Sequence, residues 1–284
     1  MTLSECIADA KKKGVAIGHF NISDSEGFKA VVEAAKELGV PVIIGVSEGE
    51  REFIGLAEIV SLVKVARGNG LPVFINADHT YSVERAKAAI DAGVDSVIID
   101  GAAKSFEENV AMTKKVVDYA EGRALNTNSQ GPALVEGELG FIGTSSKVLE
   151  EIPAGVAKTN PDEAAEFVKQ TGIDLFAPSV GNIHGIVKAG EPDLDIELIK
   201  KLEQISEVPL VLHGGSGISD EDFRLAIAAG IRIIHINTEL RLAYKAGIEE
   251  GIKSGEIAPY KFMQEAVKSM KEVVIERLKL FNNL

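Results

Sequence analysis

A single cysteine, Cys6, occurs in 284 residues, which excludes an internal disulfide and fits a reducing, cytoplasmic setting. Long apolar runs are also missing. The stretch at 40–46 has the length of a strand, far short of the roughly 20 residues a membrane helix needs. Residues 1–13 mix acids and bases without an apolar segment, so they do not read as a signal peptide. Positive charge is scarce: 30 Lys and Arg stand against 43 Asp and Glu, a net charge of −13. That balance argues against nucleic acid and anionic membranes as partners. An anionic substrate would need local positive charge in its site, from a metal, Lys, Arg or helix N-termini. No low-complexity tract or linker divides the chain, and residues 1–284 are expected to form one domain.

A repeating unit runs through the sequence. A helical pattern ends at glycine, an apolar residue follows, and a continuously apolar run begins, as at Gly39-Val40, Gly70-Leu71, Gly93-Val94, Gly172-Ile173 and Gly230-Ile231. The strand candidates are 15–21, 41–47, 73–79, 96–101, 133–138, 175–181, 210–215 and 233–238. Amphipathic helices are expected at 25–38, 55–69, 82–92, 105–120, 161–171, 194–206, 219–229 and 240–254. Eight alternations predict an α/β fold, a (β/α)8 TIM barrel, with an additional C-terminal helix at 262–281 that would cover the barrel bottom or pack on a partner. The polar insert 126–131 would lie at the bottom. The loop 140–158, long for a connection at the mouth, reads as a lid.

All five histidines sit at or just past the carboxyl end of an apolar run: His19, His79, His184, His213 and His235. In such a barrel those ends converge on one mouth. His79, His184 and His213 meet the count of three protein ligands that catalytic zinc takes, and Glu138 is a fourth or alternating ligand. Asp78, beside His79, is placed to act as a proton shuttle or, in the blander reading, to cap the next helix. The glycine-rich turns 181–185 and 213–217, with Asn237 and Thr238 ending the last strand, offer backbone amides to a phosphate. No lysine lies inside a strand candidate, which disfavours a Schiff-base mechanism.

With these residues placed, the chain resembles the class II, metal-dependent ketose-bisphosphate aldolases. The resemblance rests on Gly18-His19-Phe20-Asn21, Ser47-Glu48-Gly49, Ala77-Asp78-His79, Val135-Glu136-Gly137-Glu138-Leu139-Gly140, the 181–185 and 213–217 turns, and Asn237-Thr238-Glu239-Leu240-Arg241. It implies zinc, or another divalent ion such as cobalt, on His79, His184 and His213, with Glu138 approaching the metal; an accessory monovalent cation is left open. It implies Asp78 as the acid/base on the C4 hydroxyl, and a second one in the loop after the fifth strand, Glu150 or Glu151. Asn21, Ser47, Gly185, Lys188, Gly214, Ser216, Asn237 and Thr238 are implied in substrate and phosphate binding, and Arg241 at the distal phosphate. It favours a homodimer or larger homo-oligomer in carbohydrate metabolism.

Five positions depart from the family pattern. His235 stands where Asn is usual, Asn237 where Asp or Ala is, Asn76 where His is frequent, Gly45 where Gln is common, and Tyr260 where a phosphate-binding Arg follows a proline. Three readings follow. The first is cleavage of a ketose 1,6-bisphosphate, most simply fructose 1,6-bisphosphate to dihydroxyacetone phosphate and glyceraldehyde 3-phosphate. The second is the same chemistry on tagatose bisphosphate or another ketose 1-phosphate. The third is a barrel that binds sugar phosphates without turnover.

Overall fold

The computed structural model describes residues 1–126, 131–143, 147–152, 156–188 and 193–284. Eight parallel strands close a barrel: β1 (Ile17–Asn21), β2 (Val42–Val46), β3 (Val73–Thr80), β4 (Ser96–Ile99), β5 (Leu134–Leu139), β7 (Leu175–Pro178), β9 (Leu210–Leu212) and β10 (Ile231–Ile236). Closure comes from β1, which pairs with β2 on one side and with β10 on the other, His19 opposite His235. The two remaining strands, β6 (Val148–Leu149) and β8 (Ile186–Val187), pair with each other, outside the barrel.

The helices are α1 (Leu3–Lys13), α2 (Ser25–Leu38), α3 (Glu48–Ile54), α4 (Leu56–Gly68), α5 (Val83–Ala92), α6 (Phe106–Asn126), α7 (Pro161–Thr171), α8 (Ile196–Ser206), α9 (Asp220–Ala229), α10 (Thr238–Lys253), α11 (Pro259–Phe262) and α12 (Gln264–Asn282). Glycine closes several of them in the left-handed conformation, as at Gly39 and Gly172, and the next strand starts within three residues. Strand faces turned toward the helices are apolar, with Phe20, Ile44, Ile75, Ile99, Phe176 and Ile234 buried against the ring.

The bottom of the barrel is where expectation and structure part. It is sealed by α1, which the sequence reading did not assign. Leu3, Cys6, Ile7 and Ala10 meet Ile17, Ile43, Phe74, Leu134, Leu175, Val211 and Ile233. Its amphipathic spacing faces the barrel, and the Thr2–Glu5 capping box starts it. The C-terminal helix α12 packs on the flank instead, burying Met270, Val274, Leu278 and Phe281 beside α2, α10 and β1. Ala16 at the start of β1 donates its N–H to the Phe281 carbonyl, 3.1 Å away.

Smaller differences concern ends. The strands expected to reach 181 and 215 stop at Pro178 and Leu212, because glycines there turn the chain. β10 starts at Ile231 and ends before Asn237, and Thr238 already belongs to α10. A short helix, α3, precedes α4, and α6 runs six residues past its expected end at 120.

Candidate active site

The carboxyl ends of the strands open on a cavity of about 260 Å³. Asn21, Ser47, Asp78, His79, His184, Gly185, His213, Gly214, Ser216, Asn237, Thr238 and Arg241 all line it, so the structure brings together twelve of the residues chosen from the sequence. Glu138 lies behind His79, with its Oε2 3.9 Å from His79 Nδ1. Lys188 does not line the cavity; its Nζ reaches Glu150, 2.5 Å away, just past the ends of β8 and β6. Glu150 and Glu151 are likewise exposed and absent from the cavity wall, and Thr144, Ser145 and Ser146 of the same loop lie outside the described residues.

Local chain geometry aims the three histidines. His79 follows a register shift in β3 between Ala77 and Thr80 and adopts φ +34°, which is costly for a residue with a Cβ. The strain, on the order of 1–3 kcal/mol, turns the imidazole from the strand face into the mouth. His213 begins the turn at Gly214, whose φ is +62°; a Cβ there would stand 2.1 Å from the Ile183 carbonyl oxygen. Asn182, fully buried, donates to the His213 carbonyl and accepts from Val180 N–H, tying the His184 turn to the His213 turn.

Each imidazole has one nitrogen held by an oxygen. His79 Nδ1 is 2.9 Å from Asp100 Oδ2, His184 Nδ1 is 2.6 Å from the Gly143 carbonyl, and His213 Nε2 is 2.7 Å from Glu136 Oε1. His213 Nδ1 is buried without a partner. His79 Nε2 and His184 Nε2 stand 3.2 Å apart, close to the edge, roughly 3.3 Å, of a tetrahedron with ligands about 2.0–2.1 Å from zinc. The three residues offer ligand atoms within 4.8 Å of one another. Oxygen acceptors behind ligating imidazoles fix tautomer and ring direction, which is the usual construction of such centres. The residues therefore fit a divalent metal. Asp100 and Glu136 were not singled out from sequence, although Glu136 shares a strand face with Glu138 and Asp100 directly follows β4.

Burial dominates the electrostatics. It holds His184 down at about 4, with His79 adding to the effect, and holds His213 well below its ordinary value, helped by His235. Both are thus in the neutral form that ligates metal. His79 is pushed up to about 10, because Asp78, Asp100 and Glu138 outweigh its burial. Burial and then Asp78 raise Glu136 to about 8, while burial and then Asp100 raise Glu138. Burial also works against the charge on Asp78, but His79 and then His235 hold it well below the carboxylate range. Its Oδ2 accepts from Asn21 Nδ2 at 2.9 Å, and its Oδ1 is buried with no hydrogen-bond donor.

The sequence matches the class II fructose-bisphosphate aldolase family over residues 1–284. The chain belongs to that family. It is 37% identical over 287 residues to a fructose-bisphosphate aldolase of Staphylococcus aureus, covering 99% of this chain and 96% of that protein. A fructose-bisphosphate aldolase of Geobacillus stearothermophilus is 37% identical over 289 residues, with 100% and 97% covered. Among solved structures, the YdjI aldolase of Escherichia coli K12 superposes with a TM-score of 0.82 at 34% identity, covering 99% of this chain and 97% of that one. The protein is an aldolase, a carbon–carbon lyase on a TIM barrel. Among the described residues no helix is long and apolar enough to cross a membrane.

Three of the departures from the class II aldolase pattern, His235, Gly45 and Asn76, prove to form one cluster with His19. The rings of His19 and His235 stack at 3.4 Å, inclined by only 3°, and His213 lies on the far side of His235 at 3.9 Å. Gly45 makes room: a Cβ there would fall 2.0 Å from His19 Cε1. Asn76 Oδ1 stands 3.4 Å from His19 Nε2, while its Nδ2 donates to Ser96. His235 Nδ1 is 3.5 Å from Asp78 Oδ1, too poorly directed for a hydrogen bond. Parallel rings cannot both aim their in-plane lone pairs at one ion, so His19 and His235 are poorly disposed to share a metal. Of the other two departures, Asn237 lines the cavity, while Tyr260 is exposed and is not part of its wall.

Arg51 and Glu50, unremarked in the sequence, shape the rim. The buried Arg51 guanidinium donates to the Val46 and Asp78 carbonyls and to Thr80 Oγ1, bracing the ends of β2 and β3. On the opposite wall, Ser216 Oγ accepts from the backbone N–H of Asn237 and Glu239, joining the Gly214 turn to the start of α10.

Proposed function

We propose that the protein cleaves and forms a ketose 1,6-bisphosphate by metal-dependent aldol chemistry, with fructose 1,6-bisphosphate giving dihydroxyacetone phosphate and glyceraldehyde 3-phosphate. The observation that carries this reading is the convergence of ligand atoms from His79, His184 and His213 at a cavity also lined by Asp78, one of whose oxygens has no hydrogen-bond partner. His79, His184 and His213 would hold zinc, which when bound supplies Lewis-acid stabilisation of the negative charge that C3–C4 cleavage leaves on the ketose fragment. Asp78 Oδ1 takes the proton of the C4 hydroxyl as the aldehyde carbonyl forms, while Asn21 anchors Oδ2 and keeps the carboxylate oriented.

The C1 phosphate fits the wall built from Gly185, Gly214, Ser216, Asn237 and Thr238, where turn amides and the N-terminus of the 16-residue α10 supply positive potential. Ser47 and Arg241 line the other side and suit the aldehyde half. Glu138, behind His79 and outside the cavity, acts on the metal side rather than on substrate. One barrel carries the whole reaction, in the cytoplasm, as a homodimer or larger assembly.

A second reading, tagatose bisphosphate or another ketose 1-phosphate, is favoured by Asn237 at a sugar-facing position. Turnover of fructose and tagatose bisphosphates, each with and without a chelator, separates the two. Chelation is expected to abolish cleavage, and zinc or cobalt to restore it. Cleavage that survives complete removal of metal would overturn the mechanism.

A further inference from the structure

Arg241 is the only lysine or arginine among the described residues lining the cavity. Its charge is already engaged: Nη2 donates to Glu50 Oε1 at 2.8 Å. Glu50 is held firmly, 8% exposed, while the Arg241 side chain is 49% exposed. The second oxygen of the same carboxylate, Oε2, accepts from Ser47 N–H at 2.8 Å and from Asn21 Nδ2 at 2.9 Å. Asn21 in turn holds Asp78. One buried carboxylate thus joins the cation at the rim to the residue that orients the acid/base.

The charge inventory gives this arrangement a consequence. A phosphate arriving at Arg241 meets a guanidinium whose charge Glu50 offsets at contact distance, and Glu48 adds another carboxylate to the same wall. A second anion must compete with Glu50 for the same fork. At the C1 end no lysine or arginine lines the wall among the described residues, and the grip comes from backbone amides and a helix end.

We propose that Glu50 is a specificity-determining residue. By pairing with Arg241 it weakens the hold on a phosphate at the aldehyde end of the ketose, and so sets how strongly the enzyme prefers bisphosphates over ketose 1-phosphates. This rests on the proposed placement of the aldehyde half beside Arg241. The two oxygens of Glu50 can be separated by substitution. In Glu50→Gln the amide oxygen still accepts from Ser47 and Asn21, while the amide nitrogen faces Arg241 and cannot pair with it.

The test uses metal-loaded protein and two ligands without a carbonyl to cleave, a hexitol 1,6-bisphosphate and the corresponding hexitol 1-phosphate, with binding measured by calorimetry. The discrimination ratio is the Kd of the monophosphate over that of the bisphosphate. Glu50→Gln is expected to raise this ratio about fivefold, as the loss of one partly exposed ion pair allows. Arg241→Gln should bring it near one, and the double variant should match Arg241→Gln alone. A ratio unmoved by Glu50→Gln, a gain retained in the double variant, or no binding of either hexitol overturns the proposal. Turnover of fructose 1,6-bisphosphate is measured separately on the unsubstituted enzyme. Binding with the expected ratios but no cleavage refutes the reaction and leaves Glu50 in its role. Cleavage with unresponsive ratios refutes the role of Glu50 alone.

Discussion

Asp78 has one oxygen fixed by Asn21 and one buried oxygen that nothing satisfies, an arrangement that costs stability unless substrate or metal-bound ligands complete it. Asp78→Ala is expected to lower kcat by about a hundredfold or more while metal content, measured by atomic emission, stays at the level of the unsubstituted enzyme. His79, His184 and His213 could be chosen from their positions at the carboxyl ends of strands, although His19, placed in the same way, does not line the cavity. Their orienting oxygens were less legible. Asp100, Glu136 and the Gly143 carbonyl come from other strands and loops, and only three-dimensional register shows which nitrogen each one holds. The cluster around His19 makes the same point, since Gly45, Asn76 and His235, which read singly as deviations, are mutually dependent in space. Gly45→Ala should drive a methyl group into the His19 ring and cost about 1–3 kcal/mol of stability, measured by urea denaturation.

At the level of elements, α2 and α7 were bounded correctly from their caps, closing glycines and amphipathic spacing. Helix α1 escaped although Leu3, Cys6, Ile7 and Ala10 follow helical spacing and Thr2 and Glu5 form its capping box. One short amphipathic segment before the first strand says nothing about its docking place, which is decided by the open floor of the barrel. For the same reason α12, which looked suited to that floor, packs on the flank: the floor is already taken. Ile7→Ala is expected to cost about 2–4 kcal/mol, read as a lowered urea midpoint with an unchanged slope. An effect below about 0.5 kcal/mol would show that α1 lies loosely on the barrel rather than sealing it.

For the molecule as a whole, the centre of the barrel is a column of buried polar groups. His213 Nδ1, Glu138 Oε2 and Asp78 Oδ1 are among those left without partners, a liability that a metal on the proposed ligands would relieve in part. Metal should therefore act as a folding ligand as well as a catalyst. At a free concentration 1,000 times its Kd, it adds about 4 kcal/mol to stability. The melting temperature is expected to rise by several degrees on metal loading and to fall back on chelation, measured by scanning calorimetry. An identical melting profile in both states would mean that the three imidazoles do not share an ion.

The bond from Ala16 to Phe281 places the start of the first barrel strand beside the end of the last helix, and α1 lies under the same floor. Both chain ends therefore leave from the side opposite the mouth. A tether, affinity handle or surface attachment at either end would present the cavity outward, unobstructed for a diffusing sugar. A short bridge between the ends would be equally remote from it, which makes this chain suited to circular permutation.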